Sequence, residues 1–190
     1  MDPRLAEIRL VAANFRELRG LTVAGLGAVN VVAFSGFLLF GPARLDTLDW
    51  SLLMMLVCLA QGFLMAGMAR YYQGRFGAVE GGASSTKIVI AVGVVLALIL
   101  TLRWPSFGAV FVPFAMMELW IVIRDFPRRG YHLIGVAGAL AAMGFAVAAD
   151  PLSPDRSVLT AIVIHGASLV VPGILDHQLL VRAVGRPRGG

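Results

Sequence analysis

Leu21–Phe40 carries no charged side chain. A run of that length constrains the fold more than any other feature, because about 20 helical residues cross a hydrocarbon core of about 30 Å. Backbone groups in lipid must find partners within their own segment, so each such run is expected to be a helix. Five further apolar runs follow: Ser51–Ala69, Ile88–Leu102, Ser106–Ile123, Leu133–Ala149 and Ser157–Val181. Only 14% of the 190 residues are Asp, Glu, Lys or Arg, against roughly 25% in a soluble domain. The mean hydropathy is +0.83. These runs predict an all-α membrane protein with six transmembrane helices over residues 20–182, arranged as three consecutive hairpins by their short connections.

Residues 1–19 differ. Leu5, Ile8, Val11, Phe15 and Leu18 recur at helical spacing, with Arg4, Arg9, Arg16 and Arg19 between them. This pattern predicts an amphipathic helix lying on the membrane surface. It is not the order of a cleavable signal peptide, which places a short charged stretch before a short apolar one. Residues 183–190 read as a basic tail.

The basic residues predict orientation. With the N-terminus in the cytoplasm, thirteen of the 16 Lys and Arg fall on the inner side, and only Arg44, Arg103 and Arg156 on the outer. That bias follows the positive-inside rule and puts both termini on the cytoplasmic side of an inner membrane. The net charge of +5 is then accounted for by topology and by attraction to anionic lipid. No nucleic-acid-binding motif accompanies it. Cys58 is the one cysteine, so an internal disulfide is excluded.

Charged groups within spans are costly and face the bundle interior with a partner. Asp176 stands six residues before Arg182 and Glu118 six before Arg124, so each sits about 9 Å inside its boundary at 1.5 Å per residue. Both helices run the same way, which predicts one shared depth for the two carboxyls and for His177. Each carboxyl must then be protonated, paired with an arginine such as Arg70 or Arg124, or facing a wet crevice. Pro172 and Gly173 predict a distortion just before Asp176. His165, Pro172 and Asp176 share a helix face, which reads either as a ligand or proton path or as interhelical hydrogen bonding. Asn30 and Gln61 read as interhelical hydrogen-bonders.

Metalloprotease, nucleophile-elbow and dinucleotide motifs are missing, which leans the reading away from an enzyme. No metal site is expected. The cofactor is left unknown: His165 as an axial ligand to haem or a pigment stays open. Tyr71, Tyr72, Arg75 and Phe76, opening the stretch 70–87, form a candidate partner-docking surface, or else an interfacial anchor. Ala24 and Ala28 form an Ala-x-x-x-Ala spacing in the first helix. With the chain's length and six spans, this resembles the substrate-binding membrane component of energy-coupling-factor vitamin transporters. The resemblance implies that Ala24 and Ala28 dock a membrane partner. The amphipathic N-terminal helix and the inner carboxyls depart from that pattern.

Three functional readings follow. The first is a non-enzymatic membrane subunit binding a partner protein or small solute. The second is an ion- or proton-coupled small-solute transporter using the intramembrane carboxylates. The third is a cofactor-carrying subunit or an intramembrane enzyme.

Overall fold

The computed structural model describes residues 20–41, 46–76, 85–103, 107–147 and 156–184. The expected surface helix over 1–19 lies outside the described residues, as does nearly all of the tail. Among the described residues there are six α-helices: α1 (Gly20–Phe40), α2 (Thr47–Phe76), α3 (Ser85–Arg103), α4 (Val112–Asp125), α5 (Leu133–Ala146) and α6 (Arg156–Val184). Short 3-10 helices at Phe107–Phe111 and Gly130–His132 lead into α4 and α5. No strand occurs among the described residues.

Four segments are long and apolar enough to cross a membrane: Gly20–Phe40, Leu48–Phe76, Phe107–Asp125 and Arg156–Val184. Gly130–Ala146 is apolar but shorter. The expectation of six full spans is therefore met only in part. Between Lys87 and Arg103, α3 keeps an uncharged run that rises only about 22 Å, short of a hydrocarbon core of about 30 Å. Apolar side chains cover α2 on most of its circumference: Leu52, Met55, Leu56, Leu59 and Phe63 are all exposed. A helix apolar all round, with so many large side chains outward, suits lipid rather than water.

The consecutive-hairpin expectation does not capture the main packing. The most extensive contact joins α1 to α6, the two ends of the described chain. Helix α5 lies on the other side of α6, α4 packs on α5 and α3, and α2 packs on α1. Glycine explains the α1–α6 approach. A Cβ on Gly173 would stand 2.5 Å from the Gly20 carbonyl oxygen and 2.6 Å from the Ala24 nitrogen. A Cβ on Gly27 would run into the Gly166 carbonyl. Gly20, Ala24 and Gly27 recur every three or four residues, forming one smooth stripe that lets the backbones touch.

Apolar clusters fill the rest of the interior. Phe34, Leu53, Val57 and Leu159 tie α1, α2 and α6 together. Phe111, Ala142, Ala146 and Ala161 tie the first 3-10 helix, α5 and α6.

Candidate functional site: a buried charge network

Helix α4 begins with Pro113 in its first turn, where a missing N–H costs no helical bond. It ends because Pro127 pushes Phe126 out of the helical region; Phe126 has ψ 143°. Phe111, Glu118 and Asp125 are seven residues apart, so they return to nearly the same face, and all three are buried. The turn after Phe126 folds back on α4, with the Arg129 amide donating to the Asp125 carbonyl at 3.2 Å. The following 3-10 turn sets Tyr131 and His132 beneath α4, facing Asp176 on α6.

Arg129 is the centre of what results. Its side chain is fully buried. Nε donates to Asp176 Oδ1 at 3.0 Å and one terminal nitrogen to Oδ2 at 2.5 Å. The other terminal nitrogen reaches Asp125 Oδ2 at 3.1 Å. Arg124 also grips Asp125, at 2.8 Å and 3.1 Å. The Tyr131 hydroxyl donates to Asp176 Oδ1 at 2.5 Å. His132 spans the remaining gap: Nε2 lies 3.2 Å from Asp176 Oδ2, and Nδ1 meets Glu118 Oε2. Gly135, one helical turn after His132, makes the room, since a Cβ there would lie 2.7 Å from the Glu118 carboxyl carbon.

Electrostatics follow from this geometry. The Arg124 and Arg129 guanidinium groups face three carboxylates, Asp125, Asp176 and Glu118. A protonated His132 brings the network to zero net charge, the arrangement that buried charges require. Burial works against the charge on Arg129, but Asp176 and Asp125 outweigh it and hold its pKa above the ordinary value. Burial likewise opposes the His132 imidazolium, and the bonds to Asp176 and Glu118 outweigh it, so its pKa is raised. Burial and the Asp176 charge raise the Tyr131 pKa, keeping the phenol a neutral donor.

The sequence-level candidates separate. Glu118 and Asp176 come together, joined through His132. Of the three ways to accommodate Asp176, pairing with an arginine is the one present, and the arginine is neither Arg70 nor Arg124 but Arg129, delivered by the turn after Pro127. His177 faces away, since neighbouring helical residues diverge by about 100°. Its Nδ1 lies 3.0 Å from the Tyr72 hydroxyl, which accepts the Leu21 amide at 3.1 Å. His165 stands apart, buried between Phe111 and Phe114 with ring centroids 5.4 Å and 4.7 Å away. Neither ring nitrogen of His165 has a hydrogen-bond partner among the described residues. Helix α6 continues as one helix through Pro172.

Among the docking candidates, Tyr71 and Arg75 are exposed and Phe76 is half-buried against Tyr72. Tyr72 is fully buried. Ala24 is buried against Gly173, so α6 already occupies its face, and Ala28 is exposed. Asn30 and Gln61 join α1 to α2, with Gln61 Nε2 donating to Asn30 Oδ1 at 2.7 Å.

Arg129, His132, Tyr131 and Asp125 were not singled out by the sequence as site residues. The signal was present in the crowded connection Arg124-Asp125-Phe126-Pro127-Arg128-Arg129-Gly130-Tyr131-His132, whose polar density is unusual between two apolar helices. Among the described residues, no group of three or more His, Cys, Asp or Glu side chains is placed to hold a metal ion. Glu118 and Asp176 lie on opposite ring nitrogens of His132 and do not converge on one point. No protein-family model matches this chain, and neither a curated protein nor a solved structure does.

Proposed function

We propose that the chain is a non-enzymatic subunit of a membrane assembly, with its termini cytoplasmic, in which the buried network braces the bundle and the open helix faces meet a partner. One observation carries this reading. Asp176 and Arg129 spend their hydrogen-bonding capacity on each other and on Tyr131, His132 and Asp125. Meanwhile α2, 30 residues long, has α1 as its main neighbour and turns Leu56 and Phe63 outward. Strong internal pairing with an apolar exterior suits a scaffold that is recognised from outside better than a cage around a solute.

A photo-crosslinking amino acid at Phe63 or Leu56 tests it in native membranes. A single protein adduct in stoichiometric yield is expected there, with none from Phe34, which is buried. Lipid adducts alone from both positions would overturn the reading. The His132 bridge between two carboxyls favours a second reading, a proton-coupled small-solute carrier. Solute uptake by the purified chain in liposomes, abolished in Asp176→Asn, would select that reading.

A further inference from the structure

Three buried side-chain polar atoms have no partner among the described residues: Glu118 Oε1 and the two ring nitrogens of His165. Glu118 is 1% exposed and His165 4%. A buried polar atom without a partner costs about 1–3 kcal/mol, so it calls for an explanation. Both side chains are held between α4 and its neighbours, Glu118 against Gly135 of α5 and His165 of α6 against Phe111 and Phe114. Phe114, whose ring lies 4.7 Å from that of His165, precedes Glu118 by one turn of α4, about 6 Å. On α5, Gly135 gives way to Glu118 and Gly138 to Ser168, again one turn apart. The Ser168 hydroxyl itself donates to the His165 carbonyl at 2.7 Å.

The proton inventory at His132 supplies the rest. Each ring nitrogen faces a carboxylate oxygen. Two ionised carboxylates only accept, so both contacts to them are hydrogen bonds only when His132 carries two N–H groups; a bare Nε2 would instead accept from the Arg129 terminal nitrogen 3.2 Å away. An equivalent state has neutral His132 and a protonated Glu118. The two states hold the same number of protons, differ by one proton moved from Nδ1 to Oε2, and leave the net charge unchanged. In a low-dielectric interior, a transfer without net charge change avoids the main electrostatic penalty.

We propose that Glu118, His132 and Asp176 form a proton-transfer site, with Asp176 and Arg129 positioning the imidazole and Glu118 carrying the proton. The N–H bond at Nδ1 breaks as the O–H bond at Oε2 forms. Rotation of the Glu118 carboxyl about its terminal torsion, which is broad and two-fold, then turns the O–H toward the side that Oε1 occupies. The charged and titratable groups facing His132 are Glu118 from α4, Arg129 and Tyr131 from the connection, and Asp176 from α6. Asp125 and Arg124 complete the network behind Arg129. This inference does not depend on the subunit reading.

Infrared difference spectra of the full chain in liposomes, titrated with pH in H2O and D2O, test it. The expected result is one un-ionised carboxyl C=O band that shifts in D2O, vanishes in Glu118→Gln and persists in Asp46→Asn. Its frequency changes in Glu118→Asp, which keeps a carboxyl should the Gln variant misfold. No such band at any pH, or a band surviving Glu118→Gln, overturns the proposal.

Discussion

Arg129 and Asp176, 47 residues apart in sequence, meet through a bidentate contact with nitrogen–oxygen distances of 3.0 Å and 2.5 Å. Both side chains are buried, so the pair stands or falls together. Removing one partner strands the other charge in the interior at about 3–5 kcal/mol. Arg129→Met and Asp176→Leu are each expected to lower thermal stability in detergent by that order. The double variant should lose less than the sum, as read from a double-mutant cycle. Additive losses would mean that the pair is not coupled.

The α1–α6 seam makes a positional prediction. Gly173→Val places a branched side chain where the Gly20 carbonyl oxygen and the Ala24 nitrogen already stand. The helices must separate, and loss of the folded bundle is expected by size-exclusion chromatography. Gly36→Ala, on the same α1, meets nothing within 4 Å. It should stabilise by about 0.5–1 kcal/mol, since glycine loses more backbone freedom on folding than alanine does.

Stability should depend on pH through His132. Its folded pKa is raised above the ordinary 6.5, so the protonated form is favoured by folding. The contribution is full below that ordinary value and is lost as pH rises through the higher folded value. The melting temperature is therefore expected to fall across that window in the wild type. In His132→Asn the fall should flatten, because that side chain does not titrate. Parallel curves for the two proteins would refute the assignment.

Tyr72 clamps the start of α1. Its hydroxyl accepts the Leu21 amide and contacts His177. Tyr72→Phe keeps the ring packed on Leu180 and removes both bonds. A loss of about 0.5–1.5 kcal/mol per bond is expected, with faster hydrogen exchange at the Leu21 amide. Unchanged exchange there would show that the clamp contributes nothing.

The apolar helices and the pairing of Glu118 with Asp176 in one region were legible because both depend on spacing along the chain. What joins those carboxyls was not. Arg128 and Arg129 are adjacent and equally basic, and a count of charges per side treats them alike. The fold exposes the first and buries the second completely. Only the turn after Pro127 distinguishes them. The neighbours Asp176 and His177 show the converse, since helical rotation sends one to Arg129 and the other to Tyr72.

The glycine seam also bears on the order of assembly. Helices α1 and α6 are separated by more than a hundred residues. Contacts between such distant segments form late, after the loop between them has closed. During insertion into a bilayer, α1 is therefore expected to keep its smooth stripe uncovered until α6 arrives. Completion of the bundle is tied to the last helix described, and the intermediate that precedes it is the form most open to rescue, exchange or degradation by whatever surveys the bilayer.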